Sequence, residues 1–138
     1  MDYRRFKSRR VWLHLISLPI IWLPLLAVIL LDILGEIYHQ ICFPIYGLEK
    51  VKRSEYIQIV DRNKLQYLNF SEKLGCMYCG YVNGYLLYLK EIAGRTEKYW
   101  CGIMHQKKPG FRIQVSQVEN NFSPYGDQAE FEAKYPLK

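Results

Sequence analysis

The stretch "VWLHLISLPIIWLPLLAVILL", residues 11–31, has no acidic or basic side chain except His14, and its one other polar residue is Ser17. As a helix it would measure about 32 Å at ~1.5 Å per residue, enough to cross a ~30 Å hydrocarbon core. A signal peptide is the main alternative, but this run is longer than a typical signal core and no small-x-small cleavage site follows it. Residues 11–31 are therefore predicted to be an uncleaved membrane anchor.

Two prolines, Pro19 and Pro24, lie inside this apolar run. They are compatible with one kinked span or with the tip of a re-entrant hairpin, and both alternatives stay open. A single span would hold the N-terminus in the cytoplasm and send the rest of the chain outside, whereas a hairpin would keep both flanks in the cytoplasm.

The net charge of +6 is concentrated on the two flanks of the anchor. The basic N-terminus, residues 1–10, carries five cations, and Lys50, Lys52 and Arg53 follow the apolar region. Anionic lipid headgroups attract such residues by ~1 kcal/mol each near the surface. The expected partner of these clusters is therefore an anionic membrane surface, and no nucleic-acid binding is expected.

Residues 32–48 have an amphipathic pattern that Pro44 interrupts. Such a segment can lie in the interface plane with its tyrosines at headgroup depth. His39 and Cys42 fall within it and are interpreted as packing or interfacial residues rather than as ligands. An interfacial segment is therefore predicted for residues 32–48.

Residues 49–138 are predicted to form a small soluble domain of the α+β class. "SEYIQIV" (54–60) and "FRIQVSQV" (111–118) alternate as strands do. Asp61 is expected to cap a short helix that ends at Gly75, and Asn83-Gly84 to form a turn. A helix is predicted within "YLLYLKEIAGRTEKYWCGIMH" (85–105) and a last helical turn at "DQAEFEAK" (127–134).

Four potential metal ligands occur as two local pairs in this domain: Cys76, Cys79, Cys101 and His105. Their pattern is C-x2-C followed by C-x3-H, and Gly80 suits a knuckle around the first pair. Three thiolates and an imidazole favour zinc in a closed, structural site, since an iron centre of this kind ordinarily takes four cysteines. A disulfide or inert buried thiols are the alternatives.

The motifs "DRNKLQYLNFSEKLGCMYCGYVNG" (61–84) and "EIAGRTEKYWCGIMH" (91–105) resemble a family of small uncharacterised bacterial membrane-anchored proteins. The resemblance runs from about residue 10 to residue 108 and includes the "CFPIYG" stretch (42–47). It implies that the four potential ligands belong to hallmark motifs of the family. Gly102 and Met104 depart from the proline and lysine expected there.

The chain shows no nucleophile elbow, no glycine-rich phosphate loop and no carboxylate pair at a spacing that forces proximity, so an enzyme is not favoured. The leading hypothesis is a membrane-anchored zinc-site module that serves as an accessory or assembly subunit of a membrane protein complex. Its expected location is the bacterial inner membrane, with the soluble domain in the cytoplasm. The alternative is a membrane-associated redox protein that uses iron or a dithiol at the same cysteines.

Overall fold

The computed structural model describes residues 11–136, and the predicted basic N-terminus, residues 1–10, lies outside them. The described chain forms helices α1 (Val11–Tyr46), α2 (Phe70–Trp100), α3 (Val115–Glu119) and α4 (Gln128–Lys134), with 3-10 turns at Arg53–Glu55 and Arg62–Lys64. Its only β-type pairing is an isolated bridge between Ile103 and Ser123. The predicted α+β class is therefore wrong: the described part of the chain is helical.

Helix α1 is continuous over 36 residues and contains Pro19, Pro24 and Pro44. The re-entrant hairpin is therefore wrong, and one helix carries both the predicted anchor and most of the predicted interfacial segment. Gly47 ends α1 with a φ of 67°, and the Leu48 N–H donates to the Phe43 carbonyl, as in a Schellman cap. Within α1, Leu15–Tyr46 is long and apolar enough to cross a membrane.

Helix α2 begins at a capping box, in which Asn69 accepts from the Glu72 N–H while the Glu72 side chain accepts from the Asn69 N–H. It then continues through the predicted helix end at Gly75 and the predicted turn at Asn83-Gly84. A Cβ on Gly84 would lie 2.6 Å from the Tyr56 carbonyl oxygen. This glycine therefore serves the close approach of another backbone rather than a turn.

Helices α1 and α2 run side by side in the same direction. Tyr78 contacts Ile21, and further along both helices Thr96 contacts Tyr38. The chain between them, residues 47–69, must therefore return along the pair, and this segment is called the connector. The predicted strand 54–60 lies in the connector, where the structure has a 3-10 turn and irregular chain.

The core lies where α1, the connector and α2 meet. Its buried apolar residues are Val28, Phe43, Val51, Tyr85, Tyr88 and Ile92. Because two of these side chains carry hydroxyl groups, the core must also supply hydrogen-bond partners.

The C-terminal part packs on the end of α2. Ser116 of α3 lies against Gly94, and the Gln117 amide donates to Glu97 at 2.7 Å. The predicted strand at 111–118 is wrong, since it is replaced by irregular chain and α3. The predicted last helical turn is confirmed as α4, with Asp127 as its N-cap.

Candidate functional site

The four potential metal ligands do not meet. Cys76 and Cys79 lie inside α2, whereas Cys101 follows its last residue and His105 lies beyond it. Along a helix that rises ~1.5 Å per residue, Cys76 and Cys101 lie about 37 Å apart, whereas a zinc–sulfur bond measures about 2.3 Å. Within residues 11–136 no group of three or more His, Cys, Asp or Glu side chains is placed to hold a metal ion. The metal-stabilised domain of the predicted fold is therefore wrong.

The structure instead places a cluster of polar side chains between the two long helices, here called the polar clasp. Its members are Asp32, Glu36, His39, Arg53, Tyr81 and Tyr88. Three come from α1, one from the connector and two from α2, so the clasp joins all three segments that enclose the core.

Arg53 ties the connector to α1. Its two terminal nitrogens each donate to one oxygen of Asp32 at 2.5 Å, and Tyr81 donates to the same carboxylate at 2.7 Å. The guanidinium also lies 5.6 Å from the centre of the Tyr88 ring. The Asp32 hydrogen bonds raise the pKa of Arg53 above its ordinary value. Burial, and then the hydrogen bond to Asp32, raise the pKa of Tyr81 to about 12.

His39 is 1% exposed and links three segments through both ring nitrogens. The Val51 N–H donates to Nε2 at 3.0 Å, so the neutral imidazole must carry its proton on Nδ1. Nδ1–H then donates to the Tyr88 hydroxyl at 2.9 Å, and that hydroxyl donates to Glu36 at 2.9 Å. Each donated proton in this row of hydrogen bonds has one acceptor. The hydrogen bonds therefore fix the positions of His39, Tyr88 and Glu36 relative to one another.

Helical spacing explains why these residues meet. Asp32, Glu36 and His39 are separated by four and then three positions, which places them on one face of α1. Tyr81, Tyr85 and Tyr88 repeat the same spacing on α2. This shared spacing is visible in the sequence, although from the sequence His39 is expected only to be a packing or interfacial residue.

Two open cavities adjoin these elements. One, of about 600 Å³, lies beside the clasp and combines its charged groups with apolar residues of α1, and its lining comprises Asp32, Ile33, Glu36, Ile37, Gln40, Ile41 and Arg53. The other, of about 410 Å³, lies where the connector crosses α2 and includes Cys79, Asp61 and Arg62.

The two carboxylates of the polar clasp already accept hydrogen bonds from neighbouring side chains, which limits the reactions they could take part in. Asp32 is occupied by Arg53 and Tyr81, and Glu36 accepts from Gln40 and Tyr88. Polar side chains that are hydrogen-bonded to one another in this way are suited to a structural role, in which they hold neighbouring helices together. Comparisons with protein-family models, with curated proteins and with solved structures found no match.

Proposed function

We propose that this chain is a membrane-anchored accessory or assembly subunit, in which α1 binds the bilayer and the polar clasp holds the remaining helices rigidly against it. The observation that carries the proposal is the apolar outer face of α1. Its large side chains are exposed from one end of the helix to the other, for example Leu23 at 66% and Ile45 at 72%. Soluble monomeric proteins rarely expose an apolar surface of this extent.

The basic residues on both flanks of the apolar run add to this support. Lys50 and Lys52 are exposed directly after α1, and residues 1–10 supply further cations in the sequence. Anionic headgroups attract such clusters, whereas the apolar face of α1 enters the acyl region.

The accessory role is proposed without a metal, because two of the four predicted ligands lie in the first third of α2 and the other two lie beyond its end. It is also preferred to the dithiol redox alternative. Residues three apart on a helix have Cβ atoms about 5–6 Å apart, whereas a disulfide needs about 3.5–4.5 Å. Oxidation of Cys76 and Cys79 to one disulfide would therefore distort α2.

The surface best suited to bind a protein partner lies at the C-terminal ends of α1 and α2. Tyr46 stacks on Tyr99 with ring centres 4.7 Å apart, and the Trp100 ring meets both of them edge to face. Trp100 is 67% exposed. Exposed aromatic residues supported by one another are common in the centres of protein interfaces. We infer that this aromatic patch contacts a partner in the same membrane.

Membrane fractionation of cells that express the full chain tests the anchor. The chain is expected in the membrane fraction, and Leu30→Asp on the outer face of α1, which costs about 3 kcal/mol in the acyl region, is expected to lower its recovery there. Val118→Asp, at an equally exposed position of α3, is the matched control and should leave the distribution unchanged. Recovery of the unaltered chain in the soluble fraction would contradict the proposal.

Crosslinking in native membranes tests the accessory role. A specific membrane protein should crosslink to the chain in stoichiometric amount, and Trp100→Ala should remove that crosslink without changing membrane recovery. A chain that crosslinks only to itself or to nothing would overturn the accessory role and leave the anchor intact.

A further inference from the structure

We propose that α1 lies flat in the membrane interface along its whole length and does not cross the bilayer. This inference rests on the proposed membrane binding and adds the orientation of the bound protein. The outer face of α1 then contacts the acyl chains of one lipid leaflet. The polar clasp, the connector and α2 lie on the headgroup side of α1.

The first argument is the length of the apolar face. Exposed large apolar side chains recur every three or four residues along one side of α1, here called the apolar stripe, at Leu23, Leu26, Leu30, Ile33, Ile37, Ile41 and Ile45. Earlier in the helix the same side carries Trp12 and Ile16. From Trp12 to Ile45 the stripe is about 50 Å long, whereas a hydrocarbon core is ~30 Å thick. An upright helix would leave part of the stripe in water, whereas a flat helix buries all of it.

The second argument is what covers the other side of α1. Val28, His39 and Phe43 are buried on the side opposite the stripe, and Asp32 and Glu36 point to the connector and α2. In the described part of α1 both acidic residues and His39 thus lie on the protein-covered side. From Val28 to Phe43, α1 thus has one apolar face and one covered polar face, as a helix that lies in the interface does, whereas residues 12–21 expose apolar side chains on every side.

The third argument is the depth at which the connector would lie if α1 stood upright. Tyr78 of α2 donates to the Ile21 carbonyl at 2.8 Å, and Tyr81 binds Asp32. Asp61 and Arg62, both exposed, lie beside Cys79 between these two contacts. An upright α1 would therefore place them at the level of residues 21–32, within the hydrocarbon core. Charged side chains and irregular chain exposed to lipid are both strongly unfavourable there.

A flat α1 removes this conflict and also explains the two basic flanks. Residues 1–10 and the cluster at Lys50 and Lys52 would meet headgroups of the same leaflet. An upright helix would place one of the clusters on the far side of the membrane, against the bias of cations for one side.

The test is the depth of single spin labels along α1 in the full chain bound to vesicles that contain anionic lipid. The four cysteines are changed to serine, and one label at a time is placed at residues 16, 23, 30, 37 and 45 of the outer side. Accessibility to oxygen and to a polar nickel complex gives the depth. We expect one similar, shallow depth at all five positions, with Lys108→Cys, exposed in the irregular chain beyond α2, as a water-exposed control.

Three results would overturn the proposal. A profile that is deepest near one central position, with both ends in water, would show a helix that crosses the bilayer and would leave the membrane anchor valid. Failure of the chain to float with the vesicles would overturn membrane binding itself. Labels shielded from both reagents in a soluble oligomer would assign the stripe to a second copy of the chain.

A second measurement covers the case in which the cysteine-free chain does not fold. The native chain with a tag at each end is bound to the outside of sealed vesicles and treated with protease. A flat α1 leaves both tags open to cleavage, whereas a crossing helix protects one of them. Protection of one tag would therefore contradict the inference without any change in the described residues.

Discussion

At the scale of single residues, the fold depends on polar side chains buried between helices. The spacing of Asp32, Glu36 and His39 could be read from the sequence, because it fixes their common face on a helix. Their partners could not be read, since the spacing says nothing of which segment packs on that face. The metal-stabilised domain predicted from Cys76, Cys79, Cys101 and His105 was wrong for the same reason. Each of the two pairs is close in sequence, but only the fold decides whether the pairs come together in space.

His39→Ala is expected to lower the free energy of unfolding by about 1–3 kcal/mol, because it leaves the buried Val51 N–H without its acceptor. Denaturant unfolding of the purified chain in detergent measures the change. His105→Ala is the matched control, since that side chain is 57% exposed. Equal stability of the two variants would contradict the role given to His39.

Tyr81 predicts a loss of stability in alkali. Its pKa is raised to about 12 in the folded chain, whereas unfolded tyrosine titrates near ~10. The unfolded state releases the Tyr81 proton at a lower pH than the folded state does. The contribution of this hydroxyl to the free energy of unfolding is therefore complete below about pH 10 and is lost as the pH rises through about 12. Unfolding measured across this range should show a smaller loss for Tyr81→Phe, and an unchanged pH dependence in that variant would count against the assignment.

At the scale of elements, the largest correction is that α2 is one helix of 31 residues. Its glycines and Asn83 suggest a turn in the sequence, since local propensity disfavours them inside a helix. The structure overrides that propensity, because Gly80 and Gly84 let the connector backbone approach α2 closely. Residues 57–60 of the connector alternate between half-buried and exposed side chains, so this segment resembles a strand without pairing as one.

Gly84→Ala is expected to destabilise the fold by ~1–3 kcal/mol, because the new Cβ would lie 2.6 Å from the Tyr56 carbonyl oxygen. Gly75→Ala is the matched control in the same helix, where nothing lies within 4 Å of the added Cβ. That control should instead gain up to about 1 kcal/mol of helix stability. Thermal unfolding compares the two, and a stabilising effect at both positions would show that the connector does not approach α2 as described.

At the scale of the whole molecule, the sequence predicts the apolar helix but not the arrangement around it. Length and composition mark residues 11–31 as apolar enough to cross a membrane, whereas the parallel course of α1 and α2 depends on contacts between distant residues such as Tyr85 and Leu31. From the sequence, a single span and a re-entrant hairpin both stayed open. The position of the charged connector beside the apolar run is a tertiary feature, and it leads to the flat orientation.

Metal removal should leave the fold unchanged, because the ligand pairs lie too far apart to share one ion. The thermal midpoint of the purified chain is expected to be the same with and without a strong chelator, and elemental analysis should find no stoichiometric zinc. Cys76→Ser removes one of the predicted ligands, and this variant should have the same thermal midpoint as the unaltered chain. Stoichiometric zinc whose removal unfolds the chain would contradict the structure of α2.

Oriented circular dichroism of the full chain in aligned bilayers tests the central claim most directly, because it requires no substitution. Since α1 and α2 run side by side, both axes should lie in the membrane plane, and the amide band polarised along the helix axis should be strong. A spectrum in which that band is largely lost would show helices aligned with the membrane normal and would contradict the account.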